Sequence, residues 1–295
     1  MRRLLLSAGA ILAIAVVTGV WATRPDPLPA DTFAGVAGEA AAGELVFNAA
    51  GCAGCHSAPE TDGDARLVLA GGQRFATEFG TFVAPNVSPS DAGIGGWSLS
   101  DFANATQRGI APNGAHYYPV FPYSSYALAE PQDIADLWAF WQTLPPSDAA
   151  SLPHDIGFPY SVRRGLGLWK ARYVPDLMRT MDTTDPQIAR GQYLVEALGH
   201  CAECHTPRDA LGGLNRDAWM AGAPNPSGKG TIPALTPDKL EWSAGDIASY
   251  LKTGFTPDYD SAGGSMVEVI ANIALLPDAD RDAIAAYLKA LPPAG

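Results

Sequence analysis

Four cysteines occur in the chain, and all four fall in two copies of one short run. These are Cys52-Ala53-Gly54-Cys55-His56 and Cys201-Ala202-Glu203-Cys204-His205. Cys-x-x-Cys-His is the attachment pattern of c-type haem. The two thiols add to the porphyrin vinyl groups, and the adjacent imidazole binds iron from one side. Chance matches at these Cys and His frequencies are expected on the order of 10⁻³ times per chain, so two are no coincidence. A zinc site would draw four ligands from paired knuckles, but these motifs stand in separate halves of the chain. A thioredoxin-like dithiol would need a βαβ context that the sequence lacks. The pattern predicts two covalently bound haems on Cys52, Cys55, Cys201 and Cys204, with His56 and His205 as iron ligands.

The opposite face of each iron needs its own group. Met266, in Gly263-Gly264-Ser265-Met266, lies far enough beyond His205 to cross to the other face and suits the second iron. Met220 follows that histidine too closely and suits it less. The first half has no Met between His56 and Met178. The stretch opposite Met266 reads Tyr117-Tyr118-Pro119-Val120-Phe121-Pro122-Tyr123, and His116 is its nearest strong ligand. His154 and Met178 are more distant candidates, and an open or water-bound iron is the remaining option. Arg74 and Arg208 could pair with haem propionates, and His200 with a propionate or a backbone group.

The elements that must hold these groups repeat. Cys52 recurs as Cys201, Trp97-Ser98 as Trp242-Ser243, and Leu144-Pro145-Pro146 as Leu291-Pro292-Pro293, all at nearly one offset. Three landmarks in one order mean a duplicated domain, over 38–148 and 187–295, joined by an apolar, aromatic connector at 149–186 that should pack across both. The fold class is mainly α with long Gly/Pro-rich loops and minor strands. Ser98 with Asp101, and Ser243 with Asp246, read as helix-capping pairs. Leu137, Phe140, Trp141 and Leu144 predict an amphipathic helix over 132–143, with its copy over 278–290. Pro-Pro stops each helix.

Arg2 and Arg3 precede an unbroken apolar and small-residue run from Leu4 to Trp21, just long enough to span a bilayer. Residues 1–24 are therefore expected to be a membrane anchor or a signal peptide, with the rest exported. The Pro25–Pro29 stretch, within a spacer at 25–37, reads as stiff chain lifting the folded part off the membrane. Lys plus Arg is 19 against 31 Asp plus Glu, a net charge of −12, which argues against a nucleic-acid partner. Apolar residues at 47% supply enough material for packed cores.

The chain resembles the multi-haem cytochrome c subunits of bacterial periplasmic dehydrogenases, of the alcohol and gluconate dehydrogenase type, in a two-haem version. The resemblance rests on Gly71-Gly72, Phe79-Gly80-Thr81-Phe82, Pro85-Asn86-Val87-Ser88-Pro89 and Gly93-Ile94-Gly95-Gly96-Trp97. It continues through Tyr118-Pro119-Val120-Phe121-Pro122-Tyr123 and Gly199-His200 to Thr206-Pro207-Arg208. It implies two class I cytochrome c domains, His/Met iron, and Met266 as a ligand. It places the first domain's Met where Phe121 or Ala129 stands here. The expected function is electron transfer from a periplasmic dehydrogenase to a quinone, cytochrome or oxidase of the respiratory chain, with no catalysis of its own. The expected place is the periplasmic side of the bacterial inner membrane, held by the N-terminal helix or free if that helix is cleaved. The competing expectation is a dihaem enzyme, a peroxidase or sulfur-compound oxidase, working at an open first haem.

Overall fold

A computed structural model describes residues 2–293 except 180, 182, 227 and 229, without the side chains of residues 2–5 and 8. It is mainly helical. The helices are α1 (Arg2–Ala22), α2 (Ala40–Ala49), α3 (Cys52–His56), α4 (Leu99–Arg108), α5 (Tyr123–Tyr126), α6 (Pro131–Trp141), α7 (Leu166–Tyr173), α8 (Pro186–Tyr193), α9 (Ala202–His205), α10 (Ala244–Thr253), α11 (Met266–Ile273) and α12 (Asp278–Ala290). Among the described residues, strands form two antiparallel ribbons. One pairs β1 (Arg74–Thr77) with β2 (Gly80–Val83), and the other pairs β3 (Ala223–Pro224) with β4 (Thr231–Ile232).

The repeat predicted from the landmarks is visible in how each half is closed. In the first, α2 crosses α6 so closely that a Cβ on Gly43 would lie 1.9 Å from the Asp136 carbonyl oxygen. In the second, α8 crosses α12 with a Cβ on Gly191 1.9 Å from the Ala283 oxygen. Only glycine permits this backbone contact. Around the first crossing Phe47 meets Phe140 and Trp141 edge-on, at 5.2 and 5.8 Å between ring centroids. Beside the second, Tyr287 is fully buried.

Both expected capping boxes form. Ser98 and Ser243 each accept from the backbone N–H three residues on, and Asp101 and Asp246 return the bond. Gly109 and Gly254 then end α4 and α10 in the left-handed conformation. The predicted amphipathic pair appears as α6, opened by Pro131 at its first turn, and α12. The two domain cores merge: Leu137 and Trp141 belong to the same buried cluster as Leu194, Leu198 and Ile284.

The connector touches both domains, as its composition suggested. Lys170 donates to the carbonyls of Arg108 and Gly109, each at 2.6 Å, while Trp169 donates to the Leu211 carbonyl and Tyr173 to Asp209. At the N-terminus α1 runs 21 residues. Among the described residues no helix is long and apolar enough to cross a membrane. The Pro25–Pro29 stretch differs from the expected spacer, because it lies along the first domain. The Leu28 N–H donates to Asn104 at 2.8 Å, and the Leu28 and Phe33 side chains pack on the core. An extended chain that can bury Leu28 and satisfy its amide gains more on the domain than held away from it.

The glycine crossings give a direct test. Gly191→Ala should cost about 1–3 kcal/mol in urea denaturation, because the added methyl must separate two packed backbones. Gly157→Ala, with nothing within 4 Å of its Cβ position, should leave the midpoint within about 0.5 kcal/mol.

Candidate functional site

α3 and α9 present the two motifs. The chain enters them through left-handed residues, Gly51 (φ 62°) and His200 (φ 40°). His56 Nδ1 bonds the Pro85 carbonyl at 3.2 Å, and His205 Nδ1 bonds the Pro233 carbonyl at 2.7 Å. A carbonyl only accepts, so Nδ1 carries the proton in each bond. Burial lowers both imidazole pKa values, against the carbonyl bond, and keeps the rings neutral at neutral pH. The one remaining lone pair on each ring is therefore on Nε2, the state of a metal-binding histidine.

No cysteine is in a disulfide. Cys52 and Cys201 are half-buried, and burial pushes both thiols up to about 12. Cys55 is pushed up to about 11, first by its crowded surroundings and then by the neighbouring Cys204. Thiols raised in this way keep their protons at neutral pH. Among the described residues no group of three or more His, Cys, Asp or Glu converges to hold a bare ion. Paired free thiols, beside an imidazole whose Nε2 is available, fit a thioether-linked haem.

The motifs also face each other. Besides the Cys55–Cys204 interaction, Ser124 of the first domain donates to Glu203 at 2.7 Å. His200 Nε2 bonds the Ala50 carbonyl at 3.3 Å. Arg66 pairs with Glu268 at 2.7 Å, and a Cβ on Gly54 would lie 3.5 Å from Asn272 Nδ2. The helix that Met266 opens thus rests on the first motif.

Known proteins show the same doubling. The cytochrome c family model matches twice, at residues 40–145 and 188–292. The chain belongs to the cytochrome c family. It is 56% identical to a diheme cytochrome c-type protein of Cereibacter sphaeroides, over 99% of each chain. It is 36% identical to the fructose dehydrogenase cytochrome subunit of Gluconobacter japonicus, over 97% of this chain and 59% of that one. It is also 36% identical to the gluconate 2-dehydrogenase cytochrome c subunit of Pantoea cypripedii, over 84% of this chain and 58% of that one. The chain thus spans less than two thirds of those two dehydrogenase subunits. Its two cytochrome c domains take two covalently bound c-type haems.

The other sequence-predicted residues of this cytochrome separate. Met266 is half-buried at the start of α11. Met220 is fully buried in the core, with its N–H held by Thr206 at 3.0 Å. His116 bonds the Thr23 carbonyl through Nε2 at 3.0 Å and Lys170 Nζ through Nδ1 at 3.1 Å. Its Nε2 donates and its Nδ1 accepts, so the structure leaves it no free lone pair. His154 Nδ1 accepts from the Val83 N–H, and Met178 is exposed. Phe121 packs between Tyr117 and Tyr126, and Ala129 is buried. Arg208 is engaged by Glu203 and the Gly212 carbonyl, whereas Arg74 is exposed on β1. Sequence reasoning missed the Pro85 and Pro233 carbonyls. Their near-equal spacing, 29 and 28 residues after the two histidines, was the available signal.

Two predictions concern this interface. Glu203→Ala strands Ser124 and removes the carboxylate partner of Arg208, which keeps its backbone acceptors, and should cost about 1–3 kcal/mol in urea denaturation. Glu203→Gln keeps an acceptor for Ser124 and should cost less. Burial, followed by the nearby Arg108, pushes the Lys170 amine down to about 7, although three acceptors favour its charged form. Unfolding restores an ordinary lysine, so above about pH 7 the unfolded chain holds the extra proton and stability rises with pH. The urea midpoint should therefore climb between about pH 7 and 9, and Lys170→Met should flatten that climb.

Proposed function

We propose that the chain is a two-haem electron relay. Cys52 and Cys55 attach one haem and Cys201 and Cys204 the other, with His56 and His205 binding the irons through Nε2. The observation that carries this reading is the pair of imidazole–carbonyl bonds behind two motifs whose surroundings are hydrogen-bonded to each other. Haem iron supplies reversible one-electron oxidation when bound. The protein contributes ligand basicity, since each proline carbonyl draws on the Nδ1 proton and strengthens Nε2 as a donor. Met266 is the thioether ligand of the second iron and makes that domain the higher-potential end.

The donor in this reading is a periplasmic dehydrogenase, supported by the fructose and gluconate dehydrogenase relatives. The acceptor is a quinone, cytochrome or oxidase of the respiratory chain. The net charge of −12 favours a partner with a basic face. The exposed apolar side chains of α1, among them Ile11, Ile14, Val17 and Trp21, support anchoring on the periplasmic side of the inner membrane. Arg2 and Arg3 would stay on the cytoplasmic side.

The first domain lacks a thioether near its motif, and the bonds of His116 tie up both its nitrogens. These observations support an iron there that is open to added ligands. They also keep a second reading, a dihaem enzyme acting at the first haem. Carbon monoxide should bind about half the haem of the reduced protein. In Met266→Ala it should bind nearly all of it, with a lower potential at one haem only. No binding to the unmodified protein would mean that a side chain closes the first iron. An unchanged spectrum in Met266→Ala would remove that residue as a ligand.

A further inference from the structure

We propose that the connector segment 157–173 is a membrane-contact surface that rests on anionic lipid headgroups beside the C-terminal end of α1. The proposal rests on the anchoring reading above. The first observation is attachment. Arg164 donates to the Val20 carbonyl at 2.7 Å, at the last turn of α1. Gly167 packs on the chain just after it, where a Cβ would lie 2.7 Å from Thr23 Cα. His116 holds the Thr23 carbonyl from the other side. The end of α1 is therefore bonded to the connector, so whatever surrounds Val20 and Trp21 lies next to residues 162–168.

The second observation is surface character. Phe158 is 86% exposed, and Leu168, Val162 and Tyr160 are 56%, 55% and 50% exposed. A soluble surface seldom shows so many large apolar side chains over so short a stretch, and such a patch marks a contact site. The third observation is charge. Residues 156–175 hold Arg163, Arg164, Lys170 and Arg172 and no Asp or Glu, in a chain of net charge −12. Lys170 turns inward, but Arg164 and Arg172 are exposed. Apolar side chains flanked by arginines suit the boundary between acyl chains and anionic headgroups. Arg24, just past the end of α1 and stacked 5.0 Å over the Trp21 ring, adds a further cation at the same boundary.

The test uses the full haem-loaded chain in native membranes. Phe158, Leu168 or Leu275 is replaced singly by the photoreactive benzoylphenylalanine. Leu275 is as exposed, at 61%, but lies in the second domain. Illumination should give phospholipid adducts at 158 and 168 and none at 275. A protein adduct at 158 and 168, for instance with a dehydrogenase subunit, or no lipid adduct there, would overturn the proposal. An alkaline wash tests anchoring separately. If the chain washes off, the anchoring reading fails, and the released protein is illuminated with vesicles containing anionic phospholipid. Lipid adducts at 158 and 168 would still support the surface, and their absence would overturn it. In that arm Arg172→Glu, which leaves the Arg164–Val20 bond in place, should lower the adduct yield about tenfold, and an unchanged yield would overturn the headgroup assignment.

Discussion

A neutral imidazole has one proton and one free lone pair, and in this chain the backbone decides where each goes. The Pro85 and Pro233 carbonyls accept hydrogen bonds from Nδ1–H of His56 and His205, which leaves the free lone pair on Nε2. To supply those carbonyls, a long loop must leave each motif and return to it. The return is fixed by a second bond in each domain. The Gly71 N–H donates to the His56 carbonyl at 2.7 Å, and the Gly222 N–H donates to the His205 carbonyl at 2.8 Å. Both glycines have positive φ, and a Cβ on Gly71 would lie 2.4 Å from the Pro85 carbonyl carbon. Asn86 then ties the first loop to the start of the connector, donating to the Ser147 and Ala149 carbonyls at 2.8 Å each. The ribbons, the glycines and the loop anchors all serve the placement of one oxygen per domain.

That placement explains which parts of the fold were legible in the sequence. The cysteine motifs, the shared offset, the capping boxes and the α6 and α12 helices rest on local rules. Ser98 finds Asp101 three residues away, and Pro131 opens a helix whatever surrounds it. The facing of the two motifs was not legible, because it depends on bonds such as Ser124 to Glu203 and Arg66 to Glu268. Those pairs are 79 and 202 residues apart, with no periodicity to mark them. The Pro25–Pro29 stretch misled for a related reason. Its stiffness is a local property, whereas its position is set by Asn104, which accepts from Leu28 across 76 residues.

The two halves are copies in architecture and differ in their chemistry. In the second, Met266 stands half-buried at the start of α11. In the first, the corresponding stretch is filled with aromatic packing. Tyr123 is fully buried with Lys170 Nζ 4.8 Å over its ring, and Tyr126 donates to the Ala50 carbonyl at 2.9 Å. His116, the one strong ligand near it in sequence, joins Lys170 to the Thr23 carbonyl and so helps hold the end of α1 and the connector to the domain. A side chain with both nitrogens bonded cannot bind iron without giving up one of those bonds. Recruiting it would also cost Lys170 one of its three acceptors or leave the Thr23 carbonyl without this donor. His116 therefore serves the junction between the first domain, the connector and the end of the N-terminal helix.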